Sequence, residues 1–173
     1  MSIVVINLAR CHDRRDHMRR TIGRLGLPFE FFPAVDASQN KHVPLSRYDK
    51  KASIRKLGGL MTPGELACFA SHHLLWQRCA ESNQPLAILE DDVIVTKEFS
   101  QHIAELLSLV SAFHLIRLGD GEHPGQSDFP ASPVSPSLQI VRYPTFYFGT
   151  QGYSLTTGRR NASPKCRSLV FAR

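Results

Sequence analysis

Residues 3 to 8, IVVINL, form a β-branched and apolar run of the kind that fills a buried parallel strand rather than a half-exposed one. Behind it, Met18, Ile22 and Leu25 recur at helical spacing within DRRDHMRRTIGRLG; Gly26 suits a left-handed C-cap, and Pro28 bars continuation. FEFFPAV then supplies a second strand, so residues 3 to 35 predict strand, helix, strand, the unit that builds a parallel sheet by a right-handed crossover. Residues 36 to 61 show no sustained period, carry many Lys and Arg and include Gly58-Gly59; they read as a long surface loop with a short helix near Lys51 to Leu57.

The next helix is marked by local signals that agree. Thr62 suits the N-cap, Pro63 the first helical position, and Glu65 can reach back to complete a capping box, with Met61 and Leu66 as a hydrophobic staple. Leu66, Ala70, Leu74 and Gln77 share one face and Cys68, His72, Leu75 and Cys79 another, which predicts a largely buried helix. After Pro85 comes LAILEDDVIV, then a helical stripe of Phe99, Ile103, Leu106 or Leu107 and Val110, then FHLIRLGD as a strand. Residues 121 to 137, rich in Pro, Ser and Gly, predict an irregular loop, and LQIVRY and TFYFGTQGYSLT the last strands. Alternating strands and helices make this an α/β chain, and 173 residues fit one domain spanning 1–173.

Composition adds limits. With 42% hydrophobic and 21% charged residues the chain is an ordinary folded protein, and its formal charge of +6 favours anionic partners without choosing among them. The basic residues lack the aromatic interleaving of a nucleic-acid stacking surface, so a basic nucleic-acid-binding module is the weaker alternative and no nucleic acid is expected. Cys11, Cys68, Cys79 and Cys166 are scattered without a CxxC pair, which reads as reduced thiols and a cytoplasmic setting. No apolar run approaches a membrane span or a signal peptide, so any membrane contact is expected to be peripheral.

The chemistry concentrates in LAILEDDVIV, where Glu90, Asp91 and Asp92 interrupt an apolar run. If the strand continues through them, period-two alternation sets Glu90 and Asp92 on one side and Asp91 on the other. Like charges so close need an offsetting cation or several donors. A divalent ion held by one or two carboxylates and the phosphates of a nucleotide would supply it, at the carboxyl end of a strand, where open α/β sheets place ligands. The structural alternative is a strand that ends at residue 89, with the acids in a solvated turn or cap.

Five stretches, in order, resemble glycosyltransferase family 25, the lipooligosaccharide and lipopolysaccharide glycosyltransferases: VVINLARCHDRRDHM, PAVDA, MTPGELACFASHHLLW, LAILEDDVIV and GTQGYSLT. The resemblance implies a GT-A type fold with a Rossmann-like, mostly parallel sheet flanked by helices, a UDP-sugar donor (most often UDP-galactose) and inverting transfer to a lipooligosaccharide or related glycan acceptor. It implies that the EDD element acts like the DxD motif of metal-dependent transferases, with Asp92, Glu90 and Asp91 toward Mn²⁺ or Mg²⁺. Family members usually run longer, so the chain ending at Arg173 is expected to be shortened at its C-terminus, with an inactive or truncated nucleotide-binding member as the alternative.

On that reading Asn7, Arg10, Arg14 and Asp91 are the donor-binding candidates, the first three lying at or just after the first strand and its helix N-terminus. A cap explains Asp13 better than a ligand contact does, and a solvated face is the alternative for the arginines. Glu65, His72, Gly149, Thr150 and Tyr153 match the motifs as pocket or support residues; the capping box also accounts for Glu65, and a satisfied buried histidine for His72. Asp120 is a general-base candidate by location alone, so the catalytic base is left unassigned. The arginine-rich segment from Arg10 to Arg24 and the basic tail from Arg159 to Arg173 suit anionic headgroups in a peripheral contact at the inner face of the cytoplasmic membrane, or a solvated face.

Overall fold

The computed structural model describes residues 2–39, 48–113, 115–118, 131–133, 138–142, 151–157 and 168–172. The IVVIN run forms β1 (Ser2–Asn7), followed by α1 (His12–Arg24) and β2 (Phe29–Pro33). A short 3-10 turn at Ala37–Gln39 leads toward α2 (Lys50–Leu57), α3 (Pro63–Ser82), β3 (Leu86–Glu90) and α4 (Lys97–Phe113). β4 (Leu115–Leu118), β5 (Ala131–Pro133), β6 (Leu138–Arg142), β7 (Gly152–Leu155) and β8 (Ser168–Ala172) complete the order.

Among the described residues the strands join one sheet in the order β2-β1-β3-β7-β4-β8-β6-β5. The β2-β1-β3 part is parallel, as the opening strand-helix-strand pattern predicts. Beyond it the sheet is mixed, and the expectation of a mostly parallel sheet is corrected there: β7 runs antiparallel between β3 and β4, and β6 antiparallel to both β8 and β5. The α/β layering expected of a GT-A type fold is kept. β7 enters through Gly152, where an added Cβ would lie 3.2 Å from Leu89 Cδ2, so any larger residue there would press on the β3 leucine.

Strand parity divides the core. Ile3 and Val5 of β1, with Ala87 and Leu89 of β3, meet Met18 and Ile22 of α1 and Ile103 of α4 on one face. Val4 and Ile6, with Leu86 and Ile88, meet Leu75 and Cys79 of α3 and Tyr153 of β7 on the other. Both faces are covered, which is why the run at residues 3 to 6 has no polar alternation. A third cluster, Leu106, Val110, Ile116 and Leu138, seats α4 over β4 and β6.

Helix ends follow their local chemistry. In α3 the capping box is complete: Glu65 N donates to Thr62 Oγ1 at 3.3 Å and Thr62 N to Glu65 Oε2 at 2.7 Å. Gly26, just beyond α1, adopts φ +67, the left-handed geometry its position called for. Asp13 does not cap α1: Cys11 occupies the N-cap, and Asp13 lies in the first turn, where its charge complements the helix dipole. Two short strands escaped the sequence pattern, β5 inside the Pro- and Ser-rich loop and β8 inside the basic tail. Among the described residues, no helix is long and apolar enough to cross a membrane.

The capping box generates a direct test. Thr62→Ala should lower unfolding stability by about 1 kcal/mol and Thr62→Ser should restore most of it, as read by urea denaturation. Equal midpoints for parent and Thr62→Ala would show that α3 is fixed by packing alone.

Candidate nucleotide and cation cleft

In the strand order β2-β1-β3 the chain leaves β1 in one direction and returns on its other side, so the carboxyl ends of β1 and β3 flank a topological switch point. A cleft of about 180 Å³ opens there. Arg10 approaches it from the turn between β1 and α1 and Arg14 from the first turn of α1, Ala34 and Val35 from just past β2, Gly64, Cys68 and His72 from α3, and Glu90, Asp91 and Asp92 from the end of β3.

β3 ends at Glu90, and Asp91 and Asp92 form a turn in which Val93 N donates to Glu90 O at 3.4 Å. The three carboxylates therefore part differently from strict alternation. Glu90 stays on the α3 face of the sheet, where His72 Nε2 lies 3.1 Å from its Oε1. Asp91 turns to the α1 face, buried at 8% exposure, where it accepts from Asn7 Nδ2 at 2.7 Å and Arg14 Nη1 at 3.0 Å. Asp92 does not rejoin Glu90; it shares Arg14 with Asp91, at 3.1 Å, because the strand has already ended. The apolar residues that follow are split in the same way: Val93 and Val95 pack on the core while Ile94 points out at 89% exposure.

The other candidates fall into two layers. Arg10 and Arg14 line the cleft. Asn7 lies beneath it at 1% exposure, its amide donating to Cys11 O as well as Asp91 and its oxygen accepting from Arg15. Tyr153 lies under His72: the phenol oxygen is 2.7 Å from His72 Nδ1 and accepts from Trp76 Nε1 at 2.7 Å. Glu65 is an exposed capping residue, with Gly64 beside it reaching the cleft. Gly149, Thr150 and Asp120 lie outside the described residues.

Electrostatics follow from these contacts. Burial works against protonation of His72, but hydrogen bonds and charge at Cys68 and Glu90 outweigh it and raise the imidazole to about 9. Burial pushes the Tyr153 phenol up, keeping it neutral. Residues not singled out in the sequence support the site. Asp36, inside the PAVDA stretch, accepts from Ser38 Oγ at 2.7 Å, from Ser38 N at 2.9 Å and from Arg10. Ser71 Oγ accepts from Val35 N at 2.9 Å and ties α3 to the end of β2. Cys68 and Trp76 stand in the same helix motif as His72; their signal was a helical spacing of four residues, which places side chains on one face without saying what they meet.

Much of the arginine-rich segment is engaged locally. Arg15 lies 4.3 Å from the centroid of the Phe31 ring, Arg19 pairs with Asp16, and Arg14 holds the two aspartates.

The Asp36 contacts generate a pH prediction. Bonds from Ser38, then Arg10, hold its carboxyl at about 2, below the ordinary value, so its contribution to stability is complete above about pH 4 and is lost as the pH falls through 2. Asp36→Asn should therefore be less stable than the parent at pH 7, and the gap should close between about pH 4 and pH 2 in denaturant midpoints. A gap independent of pH would remove the charge from the explanation.

Residues 1–159 match the family described as glycosyltransferase family 25 (LPS biosynthesis protein). The lipooligosaccharide biosynthesis protein lic2B of Haemophilus influenzae is 36% identical over 110 residues, which is 63% of this chain and 40% of that protein. The lacto-N-neotetraose biosynthesis glycosyltransferase LgtE of Neisseria meningitidis is 33% identical over 102 residues, covering 58% and 35%. The procollagen galactosyltransferase 1-B of Xenopus laevis is 31% identical over 184 aligned positions, 96% of this chain and 29% of that protein. The chain thus spans less than half the length of these curated relatives. A match over nearly the entire chain, on a fold whose switch-point cleft gathers the motif residues, makes this protein a member of glycosyltransferase family 25.

Proposed function

We propose that the cleft binds a UDP-sugar and that the protein serves transfer of the sugar, galactose by analogy with the named galactosyltransferase relative, to a lipooligosaccharide or related glycan with inversion. The observation that carries this reading is the meeting of Arg10 and Arg14 with Glu90, Asp91 and Asp92 at the carboxyl ends of the parallel strands. The arginines and the start of α1 favour a diphosphate, and the carboxylates favour the cation that such a diphosphate brings. Asp91 is the anchored member, since both of its oxygens are held, and Asp92 is the exposed one, placed to meet a ligand arriving from solvent.

The acidic donor set fits a hard ion. Mn²⁺ or Mg²⁺ would be held chiefly by the exposed Asp92, next to Asp91 on the same arginine, and would supply Lewis-acid neutralisation of the departing diphosphate; Glu90, turned to His72 on the other face of the sheet, stands apart from them. The chain's own contribution is to orient. Asn7 and Arg14 fix Asp91, His72 fixes Glu90, and Arg10 remains at the rim with Asp36 as its resting partner. A lipid-linked acceptor would bring the protein to the inner face of the cytoplasmic membrane in peripheral contact with anionic headgroups.

A thermal shift measurement tests the proposal. UDP at about 100 times its dissociation constant should raise Tm by about 5–10 °C in the presence of Mn²⁺. The rise should be much smaller with chelator and in Asp92→Asn, whose exposed side chain leaves the fold intact. Stabilisation by UDP that ignores both metal and Asp92 would refute the metal-diphosphate reading.

A further inference from the structure

Cys68 Sγ, a ring nitrogen of His72 and a carboxylate oxygen of Glu90 lie within 4.8 Å of one another, a cluster capable of coordinating a metal ion. We infer that these residues form a three-ligand site for a borderline divalent cation of the zinc type, separate in its chemistry from the oxygen-only setting preferred by Mn²⁺ or Mg²⁺. The inference rests on the donor set and its support, and it stands whether or not the cleft takes a UDP-sugar.

Spacing brings the ligands together. Cys68 and His72 are four residues apart on α3, so they present to one side of the helix, and Glu90 faces them from the last position of β3. His72 Nε2 and Glu90 Oε1 are 3.1 Å apart. A tetrahedral zinc with Zn–N and Zn–O bonds near 2.1 Å has an edge of about 3.4 Å, close to that separation. Cys68 is exposed and can bring its sulfur in by rotation of its own side chain, without moving the helix.

The support is of the kind that metal-bound imidazoles use. With Nε2 directed at a cation, Nδ1 carries the remaining ring proton and donates to Tyr153 Oη at 2.7 Å. Tyr153 is itself fixed by the indole N–H of Trp76 at 2.7 Å, and His72 is 2% exposed, so the ring cannot turn away. All three ligands line the cleft, which leaves a fourth coordination position facing its interior. A thiolate and an imidazole are poor ligands for Mg²⁺ and Mn²⁺ and good ones for Zn²⁺ or Co²⁺. The acidic triplet is thereby divided: Glu90 serves the softer site when that ion is bound, and Asp92 serves the harder one.

Cobalt is the probe. Titrating the chelator-stripped protein with Co²⁺ should give one equivalent of binding, a thiolate-to-cobalt charge-transfer band in the near ultraviolet and the intense visible bands of a tetrahedral ion, all displaced by Zn²⁺. Cys68→Ser, whose metal-free melting temperature should match the parent, should abolish the charge-transfer band. Tyr153→Phe should keep the band and weaken Co²⁺ affinity about 10- to 100-fold. A band that survives Cys68→Ser, a titration with no tetrahedral spectrum, or Zn²⁺ binding no tighter than Mn²⁺ would each overturn the inference. The Mn²⁺-dependent response to UDP is read separately, so failure here leaves that reading standing.

Discussion

The bond from Asn7 to Asp91 joins the ends of the two strands that matter most. A carboxylate at 8% exposure is costly to bury unless donors surround it, and here one comes from β1 and another, Arg14, from α1. Asn7 is equally committed, with Cys11 and Arg15 taking its remaining polar atoms. The cleft floor is therefore a closed set of hydrogen bonds linking β1, α1 and the turn after β3.

A second chain of bonds supports the opposite wall. Trp76, Tyr153, His72 and Glu90 run from the side of α3 through β7 to the end of β3. The two sets meet at adjacent residues, Glu90 and Asp91, that lie on opposite faces of the sheet. One acidic stretch thus delivers carboxylates of different character: Asp91 locked, Glu90 half-buried against His72, Asp92 exposed. This division, rather than the count of acids, sets the electrostatic character of the cleft.

Much of this was legible in the chain. Apolar continuity at IVVINL predicted a buried parallel strand, and both faces of β1 are covered. Thr62, Pro63 and Glu65 predicted the start of α3 because a capping box is decided within four residues. β8 was not legible: SLVFA sits in a basic tail, and only its pairing with β4 and β6 makes it a strand. The parallel pattern also failed beyond β3, since antiparallel insertion of β7 depends on what lies beside it in the sheet.

The site shows the same boundary. The sequence by itself determined that three carboxylates stand in or at the end of a buried strand, that Cys68 and His72 share one face of a largely buried helix, and that the motifs resemble those of a glycosyltransferase family. Only the tertiary structure decided which acid meets which partner. Asp92 joined Asp91 at Arg14 because β3 ends at Glu90, and His72 met Glu90 and Tyr153, residues 18 and 81 positions away. Local rules of periodicity and capping act over a few residues, whereas a buried charge takes its partners from whatever the completed sheet brings within hydrogen-bond reach.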